Sequence, residues 1–240
     1  MAGWSRPASL VLLLTWAGLA WSQVPGEPKH LAAARDLLAH LDLKNTNYEH
    51  GAGNVTFSGT RESHTDCSGF VDALLRHCYS YDESAFKQWF GSRRPTAARY
   101  HDAIEAETGF TRVRYVRDLR PGDLLAVKYL MNKENTGHVM LASGLPRRME
   151  AKKPFVDGTE QWEVAVIDSS QSGHGTQDTR HKKGHDGKDH DGLGEGRLRL
   201  YTEREGGVVG FTWSTLNASA FKEPKDEHLV MGRLKPEYQP

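Results

Sequence analysis

The chain has 240 residues, with 31 basic side chains against 31 acidic. That balance excludes a broad basic surface of the kind that binds nucleic acid or an anionic membrane, and it leaves specificity to a local site. The length suits one well-cored domain, or a domain with a small appendage.

The first residues read as an address. Arg6 supplies a positive start, an apolar stretch runs from Leu10 to about Ala20, and Ala20-Trp21-Ser22 sets small residues before a cut ahead of Gln23. Residues 1–22 are therefore expected to be a signal peptide, and 23–240 a single exported domain, periplasmic or secreted. The apolar stretch is too short to span a bilayer comfortably and no later segment is long enough, so no membrane association is expected once the leader is removed.

Residues 28–43 carry Leu31, Ala34, Leu38 and Leu41 on one face and predict an amphipathic helix. Residues 45–64 form a polar, glycine-containing loop. A second helix over 68–79 has Phe70, Val71, Leu74, Leu75 and Cys78 at helical spacing. Residues 84–107 predict one or two further helices, with Pro95 where a helix starts. Strands follow. Residues 111–116 alternate loosely, a Pro121-Gly122-Asp123 turn precedes an apolar run over 124–130, and further runs lie at 138–142, 162–167, 198–201, 208–213 and 229–234. Helices first and strands afterwards describe an α+β domain with an antiparallel sheet of about six strands. Residues 173–196 hold His174, His181, His185 and His190 among many Gly and Asp, with almost nothing apolar. They are expected to be an exposed or partly disordered loop outside the core. Its histidines match no closed metal-site spacing, so no metal is assigned there. Asn54-Val55-Thr56 and Asn217-Ala218-Ser219 fit the glycosylation sequon, which matters only in a host that glycosylates.

An exported chain with two cysteines invites a disulfide. Cys67 and Cys78 would lie at opposite ends of one helix, roughly 16 Å apart at ~1.5 Å per residue, whereas a disulfide needs less than about 7 Å. Free thiols then call for a reason, and catalysis supplies one. Cys67 sits where loop gives way to helix, so first-turn N–H groups can favour a thiolate and donate to an oxyanion. A base has to come from another element, and His138 opens the strand at 138–142 after Thr136-Gly137. His64, three residues before Cys67, is a less suitable base and reads as a loop residue.

Three segments occur in a telling order: Asp-Cys-Ser-Gly-Phe-Val at 66–71, Pro-Gly-Asp-Leu-Leu at 121–125 and Gly-His-Val at 137–139. In that order they resemble the NlpC-type cell-wall cysteine peptidases, over roughly residues 45–170. The resemblance implies a papain-like fold, with the nucleophile at a helix start packed on an antiparallel sheet that bears the histidine. It implies Cys67 as nucleophile and His138 as general base, then as acid to the leaving amine. The family's third polar residue, usually His, Asn or Gln, orients the imidazole from the next strand. Here that strand delivers Asp168, whose carboxylate can accept the imidazole N–H. Asp168 can also cap a turn with Ser169 and Ser170, with Gln171 or His174 as the substitute. Tyr48, in Asn47-Tyr48-Glu49-His50-Gly51, resembles the tyrosine that lines the family's substrate cleft. Asp66 and Ser68 are in place to bind a peptide's amino end. The implied substrate is peptidoglycan, through its stem peptides, cut by a monomer with no metal or organic cofactor. An amidase or acyltransferase on the same fold, and an inactive wall-binding module, are the alternatives.

Overall fold

The computed structural model describes Met1 and residues 26–240 apart from 52, 133, 182–186 and 188. Apart from Met1, the predicted leader, together with His185, lies outside the described residues. Among the described residues no helix is long and apolar enough to cross a membrane.

The predicted helices form with shifted ends: α1 is Lys29–His40, α2 Cys67–Tyr79, α3 Glu83–Phe90 and α4 Ala97–Glu105. Helix α2 starts because Asp66 caps it, its carboxylate accepting the Gly69 N–H at 2.8 Å. It stops where Ser80 turns left-handed. Cys67 and Cys78 are both free, one at each end of α2.

The polar segment expected as a loop holds three short strands, β1 Thr46–Asn47, β2 Asn54–Thr56 and β3 Glu62–His64, with β3 in the middle. The main sheet has eight strands rather than about six. They are β4 Phe110–Val113, β5 Leu124–Tyr129, β6 Gly137–Ala142, β7 Arg147–Met149, β8 Glu160–Ser170, β9 Gly192–Thr202, β10 Val208–Thr212 and β11 Glu227–Leu234. The order is β10-β9-β8-β6-β5-β11-β4, with β7 pairing on β8 beyond β6, and every pairing is antiparallel. The additions are the loosely alternating 110–113 segment, which pairs with β11, and the short polar β7, which carries no apolar run to announce it.

The strands read as continuous apolar runs because both faces of the sheet are buried. Ala126, Val139, Leu141, Ile167 and Val230 pack with Leu31, Leu37, Phe70 and Leu74 from α1 and α2. The alternate positions Leu125, Val127, Met140, Val166, Leu198 and Met231 build a second core with Phe211. The sheet's own curl encloses that core. Tyr115, just past β4 at one edge, bridges Gly207, just before β10 at the other. The chain is therefore an α+β fold of papain-like type, with helices on one face of a curled antiparallel sheet.

Candidate active site

Cys67 is the first residue of α2 and is buried at 4 % exposure. Its position against the sheet is tied close by, where the Ser169 hydroxyl on β8 donates to the Thr65 carbonyl at 2.6 Å. That bond holds the residue next to Asp168 against the loop that delivers Cys67. Gly69 lies on the same turn, where an added Cβ would meet the Thr65 hydroxyl at 2.1 Å, so close approach of that loop requires glycine.

His138, at the start of β6, donates from Nε2 to Asp168 Oδ2 at 2.5 Å. Burial alone would lower its pKa; the charge and hydrogen bond of Cys67, with those of Asp168, prevail and push it up to about 10. His138 thus pairs with the sulfur while Asp168 fixes its far nitrogen. Cys78 differs. Burial pushes its thiol up to about 11, with Lys29 opposing weakly, which disfavours its thiolate.

Two adjoining cavities flank the pair and share Tyr48, Asn135 and Gly137. One, of about 310 Å³, is lined by Cys67, Asp66 and Ser68. The other, of about 190 Å³, is lined by His138, Tyr129, Gln171, His174 and Trp213. Asp66 faces its cavity with Oδ2, which has the His50 ring and Arg94 each at 3.4 Å, while Oδ1 accepts the Ser68 hydroxyl at 3.0 Å. Burial, then the nearby charges of Cys67 and Asp66, raises the Tyr48 phenol, so it stays a neutral donor. Of the six residues singled out from sequence, Cys67, His138, Tyr48, Asp66 and Ser68 line the cleft, and Asp168 lies buried behind His138. His64 does not join them; its ring is bonded to the Asn47 side chain.

Within 173–196, where composition suggested an exposed loop, His174, Asp178 and Arg180 are buried beside Asp168, and 192–196 are strand. Asp168, His174, Asp178 and Arg180 are 0 %, 4 %, 4 % and 1 % exposed. Arg180 donates to Asp168 Oδ1 at 2.9 Å and to both oxygens of Asp178 at 2.7 and 2.8 Å. His174 Nε2 contacts Asp168 Oδ2 at 2.9 Å. Burial by itself would raise the Asp168 carboxyl, but the charges of His174 and Arg180, with the hydrogen bonds of His138 and His174, hold it well below the usual range. Paired charge makes burial of such polar chain tolerable.

Residues 192–196 belong to β9, and their glycines make the room. Gly194 faces Asp168 across the ladder and Gly196 faces Val166. A Cβ at 194 would meet Arg180 Nε at 2.5 Å, and one at 196 would meet Asp178 Oδ2 at 2.3 Å and His174 Cβ at 2.7 Å. Along one side of β9 the positions run Gly192, Gly194, Gly196, Leu198, Leu200. Gly194 and Gly196 seat the ionic loop, Gly192 lies against Thr46 and Asn47, and the leucines enter the core. The Gly-x-Gly-x-Gly alternation at 192–196, followed by alternating leucines, was the available strand signal. Tyr129, Trp213, Asp178 and Arg180 were not singled out from sequence, since nothing local marks them.

The ligand atoms of His138, Asp168 and His174 lie within 4.8 Å of one another and could hold a small cation. Arg180 already neutralises the Asp168 carboxylate, so a second cation there would meet direct repulsion.

The sequence profile described as the NlpC/P60 family matches residues 46–157. A protein described as uncharacterized protein R653, from Acanthamoeba polyphaga mimivirus, is 34 % identical over 223 residues, covering 87 % of this chain and 97 % of that protein. The chain belongs to the NlpC/P60 family. No solved structure matches it. The NlpC/P60 match contains Tyr48, Asp66, Cys67, Ser68 and His138 and ends before Asp168, so the ionic network at 168–180 is read from this chain's own geometry.

Proposed function

We propose that the chain is an exported cysteine peptidase that hydrolyses an amide bond in peptidoglycan stem peptides. The observation that carries the reading is the alignment at the cleft: His138 pairs with Cys67 on one side and is fixed by Asp168 on the other. Membership of NlpC/P60, a family of cell-wall peptidases and amidases, supports the reaction class and the substrate.

In this mechanism His138 takes the thiol proton, and the Cys67 thiolate attacks the scissile carbonyl carbon. First-turn N–H groups of α2, which intrahelical bonding leaves unused, stabilise the oxyanion. The intermediate collapses as the His138 imidazolium gives its proton to the leaving amine, leaving a thioester on Cys67. His138 then removes a proton from water, which attacks the thioester, and the acid product leaves with Cys67 restored. Neither half-reaction calls for a metal or an organic cofactor. Asp66, Ser68 and Tyr48 border the half of the cleft nearest Cys67 and are assigned to the peptide's amino end. Export through residues 1–22 would bring this monomer to the wall.

Digestion of purified cell wall, followed by mass spectrometry of the new termini, tests the proposal. New amino-acid amines are the expected product, whereas released sugar lactyl groups would make the chain an amidase. A folded Cys67→Ala protein with undiminished hydrolysis would refute the assignment of the nucleophile.

A further inference from the structure

His174 is caught between two acceptors. Its Nδ1 lies 2.8 Å from the carbonyl oxygen of Trp213, and its Nε2 lies 2.9 Å from Asp168 Oδ2. A carbonyl oxygen only accepts, so Nδ1 carries a proton. Asp168 accepts from the Arg180 guanidinium at 2.9 Å and is ionised by that pairing, and a carboxylate also only accepts, so Nε2 carries a proton as well. An imidazole that donates from both nitrogens is an imidazolium.

We propose that His174, donating from both ring nitrogens, acts as a cationic positioning residue for the reaction assigned above, holding Asp168 ionised and aimed at His138. The inference rests on that assignment only for its role in catalysis. The charge count supports it. Asp168 and Asp178 are balanced by His174 and Arg180 within one buried network. The Cys67–His138 pair can then pass its proton from sulfur to nitrogen without leaving a net charge in the interior. A neutral His174 would leave the network one negative charge in excess.

Every element around His174 fits this state. Strand β6 presents His138, with ring centroids 6.5 Å apart, and β8 presents Asp168. From β9 comes Gly196, whose missing side chain leaves space for the ring, while Glu195 turns away to accept the Ser143 hydroxyl. Trp213, just past β10, stacks on the ring at 6.1 Å. Within its own loop, the His174 backbone N–H donates to Asp178 Oδ2 at 2.7 Å.

A fixed cation favours loss of a proton nearby. Two proton losses bound the active form: one that creates the thiolate–imidazolium pair, and one from His138 at higher pH. His174→Gln keeps a donor for Asp168 and removes the charge, so both limbs move up, by about one pH unit for a charge at this range.

The first test is ring-nitrogen NMR of the full chain labelled with ¹⁵N-histidine, at neutral pH, with His174 assigned by the signals lost in His174→Gln. Two protonated ring nitrogens on His174 are expected; a neutral His174 overturns the proposal, and the unaltered protein decides it even should the variant fail to fold. The second is the pH–rate profile of iodoacetamide alkylation at Cys67 in a Cys78→Ser background. The acid midpoint should rise by about one unit in His174→Gln. A merely structural role would lower the rate with the midpoint in place, and an unmoved or lowered midpoint overturns the positioning role. Neither readout uses cell wall, so a failure to hydrolyse it would refute the peptidase reading separately.

Discussion

Asp168→Asn removes the one carboxylate shared by His138, His174 and Arg180 while nearly keeping its shape. A hydrogen bond between charged groups contributes about 1.5–3 kcal/mol. At 1.36 kcal/mol per pH unit, its loss lowers the His138 imidazolium by about one to two units. Starting from about 10, the alkaline limb of hydrolysis should fall to about pH 8–9. The acid limb should fall with it, because an anion that opposed proton loss is gone; the sign is opposite to that expected for His174→Gln. The measurement is kcat/KM on a wall-derived peptide from pH 5 to 11, with the Cys67 alkylation profile beside it. An alkaline limb that stays in place or rises would refute the assignment of Asp168 as the partner that holds His138 charged. Stability should follow by linkage. The depressed carboxyl contributes above its ordinary 3.8 and loses that contribution as pH falls through its lower folded value. The raised imidazole contributes fully below 6.5, and its contribution is lost as pH rises towards about 10. In urea unfolding the contribution of this pair, read as the difference between the wild type and Asp168→Asn, should therefore be level between these limits. Asp168→Asn should lose about 3–5 kcal/mol there, the cost of breaking a buried ion pair on one side.

Gly196→Ala places a methyl 2.3 Å from Asp178 Oδ2 and 2.7 Å from His174 Cβ. It should cost about 1–3 kcal/mol by overpacking and reduce turnover disproportionately; a variant with normal kcat and midpoint would show that the seat is not needed. Iodoacetamide at pH 7 should modify Cys67 at least about tenfold faster than Cys78, whose thiol burial pushes up to about 11. Peptide mapping reads the ratio, and equal labelling would count against an activated Cys67. Asp72, buried in α2, accepts the Tyr100 hydroxyl at 2.6 Å through one oxygen, while the other has no hydrogen-bond partner. Burial pushes its carboxyl up to about 8 against the opposing Tyr100 bond, so ionisation of the unfolded chain costs the fold stability progressively from about pH 4 to about pH 8. Asp72→Asn should raise the urea midpoint at pH 8 and leave it little changed at pH 4, and the opposite trend would exclude the buried neutral acid.

The helices and most of the sheet were legible because each carries a periodic signal. Residues 68–79 place Phe70, Leu74 and Leu75 at helical spacing, and the structure starts α2 one residue earlier, where Asp66 caps it. The runs at 124–130 and 138–142 became β5 and β6 within a residue of their expected ends. Strand β9 was caught only in its leucine half. Its glycine half has no side chains to pattern, and what fills that face is a charged loop from elsewhere.

Cys67, His138 and Asp168 were nameable from sequence since each sits at the end of a recognisable element, with family motifs marking the first two. Composition alone could not reveal that His174, Asp178 and Arg180 are interior. Apolar burial leaves a signature in a window of neighbours, whereas burial by charge pairing depends on partners far along the chain. Arg180 is buried because Asp168 and Asp178 meet it, and His174 because Trp213 and Asp168 do. Sequence by itself determined the elements, the free thiols and the order of the site segments. Tertiary structure decided that the polar stretch closes behind His138, because only the curled sheet brings those charges together.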